Sequence, residues 1–243
     1  MNRKFFIANW KMNLSVQEGI SFSNAISNSI RKKIGTSLEV IICPPSITLP
    51  YCYQILKTVS KLGAQNISHL NSSKGAFTGE ISSEMVSDYA DYVIIGHSER
   101  RINMNETNHE VSLKGKYALN CNMTPIVCIG ESDEQRDSGN YIDFLLNQLK
   151  ESSKGIEKEM IVAYEPIWAI GSGNSCDIEQ VTEISNKVKS IYGENMPFVY
   201  GGSVNESNVE QFFINDGIDG VLVGSASINV ESFEKILSLI NEN

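Results

Sequence analysis

The sequence predicts an α/β fold: a single (β/α)8 barrel with eight parallel strands, occupying residues 1–243 as one domain. Three observations predict it. Short β-branched runs, polar turns and stretches of helical periodicity follow one another in eight units along the chain. The strand runs are continuously apolar, as expected when both faces of a parallel sheet are buried. The length, 243 residues, is close to the minimum for eight such units with short loops and leaves little for a second domain. Eight units favour a closed barrel over a doubly wound sheet, and right-handed crossovers join the strands.

The elements follow in order. Phe5 to Trp10 reads as the first strand, and Val16, Ile20, Phe22, Ile26 and Ile30 then recur near helical spacing. Leu38 to Cys43 is the second strand, stopped by Pro44-Pro45. Ile47 to Val59 reads helical, with Pro50 in its first turn, where proline is tolerated. Lys61 to Gln65 is a weaker third strand, and Asn66 to Glu80 a long loop without period. Tyr92 to Ile95, Pro125 to Ile129 and Met160 to Tyr164 are the fourth to sixth strands, with helices over Glu106 to Ala118 and Tyr141 to Leu149. A loop with two glycines, 166–175, leads to a helix over Val181 to Ile191. Phe198 to Gly201 and Gly220 to Val223 complete the strands. Helices over Val204 to Ile214 and Ile228 to Ile240 complete the chain.

Composition narrows the function classes. The chain is 41% hydrophobic and 20% charged, with a formal charge of −9. An acidic chain is a poor general partner for nucleic acid or an anionic membrane. The cysteines (Cys43, Cys52, Cys121, Cys128 and Cys176) form no CxxC pair, so neither a disulfide framework nor a zinc site is indicated. A reducing cytosol fits that usage. The first apolar run is too short for a signal peptide, and no stretch is long enough to cross a membrane. The expected location is therefore cytoplasmic.

In a parallel barrel the active site lies at the C-terminal ends of the strands. Here those ends carry Asn9-Trp10-Lys11, Gly96-His97-Ser98-Glu99-Arg100, Glu165, Gly201-Gly202-Ser203 and Gly224-Ser225. A lysine, a histidine and a glutamate thus converge on one face beside glycine-containing turns. A desolvated Glu165 carboxylate can take a proton from carbon. The apolar run Ile167-Trp168-Ala169-Ile170 behind it is costly if permanently exposed, and a lid that closes and excludes water explains it. His97, between a strand and a helix start, is placed to remain neutral and to donate a hydrogen bond to a carbonyl. Lys11 is the local cation for an anionic substrate, Asn9 points the same way along the strand, and Glu99 can pair with Lys11 or another base. The turns after strands seven and eight are candidate phosphate cradles. His69 and His109 read as structural, and Cys128 as a buried thiol rather than a nucleophile.

These stretches resemble the triosephosphate isomerase family. The matching blocks are Phe6-Ile7-Ala8-Asn9-Trp10-Lys11-Met12-Asn13, Gly75-Ala76-Phe77-Thr78-Gly79-Glu80, Gly96-His97-Ser98-Glu99-Arg100-Arg101, residues 163–173 and Tyr200-Gly201-Gly202-Ser203-Val204. They stand in the family's order across essentially the whole chain. The resemblance implies a TIM barrel and cofactor-free interconversion of dihydroxyacetone phosphate and D-glyceraldehyde 3-phosphate, in glycolysis and gluconeogenesis. It implies no metal. It makes Glu165 the base, His97 the group that polarises the carbonyl and moves protons between oxygens, and Lys11 the stabilising cation. Asn9 lines the site, and Glu99 supports it. Backbone N–H groups of Gly171, Ser203, Gly224 and Ser225 hold the phosphate. Neutral histidine and lid closure are also known attributes of this family. The resemblance also implies a homodimer, in which the loop 66–80, with Thr78 at its tip, enters the partner subunit near the lysine and histidine. The sequence departs from the family pattern at Ser225, where glycine is usual, at Asn174, where lysine is common, at Ser83, where proline is common, and over Ile102-Asn103-Met104-Asn105. Barrel enzymes acting on other phosphorylated sugars would share the phosphate turns but not the Asn9, Lys11, His97 and Glu165 set. A binding protein that had lost turnover would have no need of it.

Overall fold

Alternation within each strand sets the two faces of the sheet. In β1 (Lys4–Asn9), Phe5 and Ile7 enter one apolar cluster, while Phe6 and Ala8 enter another. The first cluster, which also holds Ile41, Ile94, Cys128 and Leu222, fills the barrel, and the second packs the sheet against the helices. The structure is a computed structural model and describes residues 3–169 and 176–240.

The remaining strands are β2 (Leu38–Cys43), β3 (Lys61–Ala64), β4 (Tyr92–Ile95), β5 (Thr124–Ile129), β6 (Ile161–Tyr164), β7 (Phe198–Tyr200) and β8 (Gly220–Val223). Every neighbouring pair is parallel, and the sheet closes where β1 meets β8, with Phe5 opposite Gly220 and Ala8 opposite Val223. The expected closed barrel of eight parallel strands is therefore the observed one. Gly220, at a φ of +153°, has no room for a side chain, because an added Cβ would lie 2.0 Å from the Phe5 carbonyl oxygen.

The helices start where their caps dictate. α1 (Val16–Arg31) opens with a capping box between Ser15 and Glu18, and buries Phe22, Ile26 and Ile30 on one stripe. α2 (Leu49–Leu56) carries Pro50 in its first turn, as read from the sequence, and is shorter than expected at both ends. Two short helices, α3 (Ser83–Ser87) and α4 (Ser98–Asn103), precede α5 (Asn108–Asn120). The helix expected from Glu106 starts at Asn108 because Thr107 and Glu110 form a capping box. α6 (Asp133–Asp137), α7 (Tyr141–Ser152) and α8 (Ile178–Tyr192) follow. α9 spans only Val209–Phe213, against an expected 204–214. The Asn208 carboxamide accepts from the Asn205 N–H and donates to the Ser203 carbonyl, and Asn205 caps Ser207, so local side-chain bonds replace the first helical turn. α10 (Val230–Leu239) closes the circuit, with Phe233 packed 5.3 Å from Phe6. None of the helices among the described residues is long and apolar enough to cross a membrane.

Glu106, left outside α5, is buried and fastens the β4 end to its surroundings. Its Oε1 accepts from the Gly96 N–H at 3.0 Å, and its Oε2 meets Lys114 Nζ and Arg100 Nε, each at 2.5 Å. Burial alone would push the Glu106 carboxyl up, but Lys114 and Arg100 together hold it below its ordinary value of 4.5. A carboxyl lowered on folding stabilises above its unfolded value and loses that contribution as pH falls through the folded one. Glu106→Gln leaves the buried Lys114 ammonium with neutral acceptors such as Asn66 Oδ1, at 2.8 Å, in place of its carboxylate. We expect it to cost about 3–5 kcal/mol in urea denaturation at pH 7. The deficit should shrink as pH drops below the carboxylate range, and a deficit constant from neutral to acid pH would contradict this account.

Candidate active site

The strand ends bring the sequence-selected residues together. Asn9 ends β1, and its Oδ1 accepts the Lys11 N–H at 3.0 Å. That bond, with Gln65 Nε2 donating to the Lys11 and Cys43 carbonyls at 2.9 Å each, holds Lys11 at a φ of +52°. Lys11 Nζ lies 2.6 Å from Glu99 Oε1, so the ion pair anticipated from the sequence is formed.

His97 sits one residue beyond Gly96, whose φ of +69° turns the chain at the end of β4. Arg101 pins that turn by donating to the Gly96 carbonyl at 2.6 Å and to the Cys128 carbonyl at 3.2 Å. The imidazole caps α4: Nδ1 accepts the Glu99 N–H at 3.2 Å. An accepting Nδ1 carries no proton, so the Nε2 hydrogen is the one offered to the site. Glu99 thus touches both partners, its carboxylate paired with Lys11 and its backbone N–H bonded to Nδ1, while its Oε2, 3.6 Å from the unprotonated Nδ1, makes no bond there.

Glu165 follows β6 and is 1% exposed. Its Oε2 accepts the Ser98 N–H at 3.3 Å. Its Oε1 stands 3.3 Å from His97 Nε2 without the alignment of a hydrogen bond, and has no hydrogen-bond partner. Below it lies Cys128, whose thiol is pushed well above its ordinary range by burial and by the neighbouring Glu165 charge. Cys128 is fully buried, as its place within a strand predicts.

Two cavities meet at Lys11 and His97. The smaller, about 360 Å³, is bounded by Gly201, Ser203, Gly224 and Ser225. The larger, about 640 Å³, extends past Asn9 and Glu99 to Met12, Gly79 and Met104. Thr78 is exposed on the loop that borders it. Gly171, with Gly173 and Asn174, lies outside the described residues. Among the described residues no group of three His, Cys, Asp or Glu side chains is arranged to hold a metal ion.

The structure adds a polar cage beside the site that sequence reading missed. Glu131 is fully buried just past β5, and its Oε1 accepts from Arg136 at 2.7 Å, Trp168 Nε1 at 2.9 Å and Tyr164 at 3.0 Å. The Arg136 guanidinium lies 4.6 Å over the Trp168 ring and 4.7 Å over Tyr141, and also donates to Gln180 in α8. Trp168 belongs to a short 3₁₀ turn, Ile167–Ala169. Further on, the Cys176 N–H donates to the Tyr200 hydroxyl at 2.9 Å. Burial pushes the Cys176 thiol up to about 11.

A barrel with this constellation has known counterparts. The family model for triosephosphate isomerase matches residues 4–240. The chain belongs to the triosephosphate isomerase family. It is 41% identical over 245 residues to a triosephosphate isomerase of Dehalococcoides mccartyi strain CBDB1, covering 96% of this chain and 95% of the relative. It is 40% identical to that of Mycoplasmopsis pulmonis, covering 98% of each chain. It is also 40% identical to that of Dictyoglomus thermophilum, covering 98% of this chain and 99% of the relative. Family membership makes the chain an isomerase, and it agrees with the barrel and with the resemblance carried by the strand-end blocks.

In this triosephosphate isomerase fold Gly201 leaves the room that Glu165 occupies, since an added Cβ would lie 2.8 Å from Glu165 Cγ. Gly201→Ala should push the carboxylate aside and lower isomerase turnover by on the order of 100-fold, with the far-ultraviolet dichroism unchanged. Turnover within a few-fold of the wild type would show that the position of Glu165 is not limiting.

Proposed function

We propose that the chain interconverts dihydroxyacetone phosphate and D-glyceraldehyde 3-phosphate without a cofactor, by proton transfer through an enediolate. One observation carries the reading. A buried carboxylate oxygen with no hydrogen-bond partner stands 3.3 Å from the Nε2 of an oriented histidine, at the mouth of a cavity bounded by two glycine-containing turns.

Glu165 removes a proton from the carbon beside the carbonyl of the bound ketose. The carbonyl oxygen takes the electron pair and becomes the enediolate oxygen. His97 donates its Nε2 hydrogen bond to that oxygen and moves a proton between the two oxygens, and Glu165 returns its proton to the neighbouring carbon. Lys11 balances the negative charge, Asn9 fixes the lysine backbone, and Glu99 orients the lysine and histidine together. Backbone N–H groups of Gly171, Ser203, Gly224 and Ser225 hold the phosphate. The apolar segment that begins at Ile167 keeps water from the enediolate.

The working unit in this reading is a homodimer formed through loop 66–80. Exposed apolar side chains support it: Met12 and Met104 border the larger cavity, and Phe77 stands beside Thr78. The loop is braced for such a role by the Ser68 N–H on the Ile81 carbonyl at 2.8 Å and by the Glu84 N–H on the Ser72 carbonyl at 3.0 Å. Residues 1–243 form one domain, placed in the cytoplasm, with no nucleic-acid or membrane partner.

A coupled assay supplying glyceraldehyde 3-phosphate to the purified protein tests the whole reading, and absence of turnover overturns it. Glu165→Asp draws the carboxylate back by one methylene and should lower kcat by at least about 100-fold while leaving the fold intact. Near-normal turnover would remove Glu165 as the base. Thr78→Arg changes an exposed side chain, so the subunit should fold, yet dimerisation in sedimentation and activity should fall together. A fully active monomer would defeat the dimer.

A further inference from the structure

The smaller cavity is lined by the polar side chains of Lys11, Asn13, His97, Ser203, Asn205 and Ser225. Most are already engaged with the protein. Lys11 is paired with Glu99, and His97 caps its helix. The Asn13 amide donates to the Trp10 carbonyl at 2.8 Å. The Ser203 hydroxyl donates to the Ala169 carbonyl at 2.5 Å, and the Asn205 side-chain Oδ1 accepts from the Ser207 N–H and hydroxyl at 2.8 and 2.6 Å. The Ser225 hydroxyl is different. It is on an exposed residue, it borders the cavity, and among the described residues it has no hydrogen-bond partner.

Its position gives that free hydroxyl a use. Gly224, the residue before it, lies against the lysine: an added Cβ there would meet Lys11 Cε at 3.4 Å and Nζ at 3.9 Å. The Gly224-Ser225 turn therefore stands beside the ammonium group of the site. An anion drawn to Lys11 arrives within reach of a rotatable O–H that gives up no internal bond to turn toward it. A hydroxyl donating to an anionic oxygen makes a charge-assisted bond, stronger than one between neutral groups.

We propose that Ser225 is a specificity-determining residue of this site, whose side-chain hydroxyl, and not only its backbone N–H, donates a hydrogen bond to the phosphate of the substrate. The proposal rests on the reading of this cavity as the phosphate end of a triose phosphate site. It goes beyond that reading because glycine is usual at this position in the family, so the hydroxyl is an addition made by this chain. The hydroxyl touches the phosphate and not the reacting carbons, so its effect belongs to binding.

Inorganic phosphate binding to the full-length protein, measured by calorimetry, tests this without needing turnover. Ser225→Ala removes the hydroxyl and keeps Cβ, and should weaken phosphate binding roughly tenfold. Ser225→Gly, which restores the family's residue, should weaken it to the same extent, and Ser225→Thr should retain most of the wild-type affinity. The KM for glyceraldehyde 3-phosphate should rise in parallel in the first two variants. Affinity of Ser225→Ala within twofold of the wild type would overturn the proposal, since the backbone N–H then suffices. Loss in Ser225→Ala but not in Ser225→Gly would also overturn it, pointing to backbone angles rather than the hydroxyl, and so would no binding of phosphate by the wild type. A wild type that binds phosphate with this variant pattern but shows no turnover would defeat the isomerase reading and leave the Ser225 proposal standing.

Discussion

Closure of the sheet between β1 and β8 is the constraint on which the rest depends. A parallel sheet must bury both faces, and a closed one has no edge to protect. Parallel pairing points every strand the same way and closure gathers their ends into a ring, so the chain segments that follow β1, β4, β6, β7 and β8 all emerge around one rim. Asn9, His97, Glu165, Gly201 and Gly224 are far apart in sequence and share a site only because of this. The tight contact of Gly220 with the Phe5 carbonyl is the local condition of that closure.

The rim resolves an apparent conflict in the charge. A chain of net charge −9 is a poor match for a phosphate dianion as a whole. Lys11, His97 and the turns at Gly201-Gly202-Ser203 and Gly224-Ser225 line one cavity. Glu99, 2.6 Å from Lys11, offsets much of the lysine charge, so a net positive field is not what the site offers. In the proposed function a local arrangement of donors decides binding, and the net charge describes the outer surface.

The strands and their ends were legible because two rules suffice: continuous apolar runs mark buried parallel strands, and their C-terminal ends mark the site. Where a third rule intervened, the reading missed. Asn205 and Asn208 satisfy backbone groups with their side chains, which no apolar periodicity reveals. Glu106 looked like the start of a helix, and the Thr107 cap displaced it into a buried ion pair. Glu131 was readable in principle, since it follows β5 in the run Ile129-Gly130-Glu131 much as Glu165 follows β6. Arg136 and Gln180, which complete its surroundings, lie on helices and look like ordinary surface residues until the packing brings them together. Thr78 and its loop stood out only through the resemblance.

The backbone at Lys11 has a consequence for how such a site persists. A lysine at a φ of +52° occupies a region that costs an ordinary side chain about 1–2 kcal/mol relative to glycine. Bonds from Asn9 and Gln65 hold it there. Drift toward greater stability alone would favour glycine at this position, and the protein would become more robust as it lost its cation. In the proposed function a lysine there thus sets durability against chemistry, a conformational cost borne for the sake of a cation.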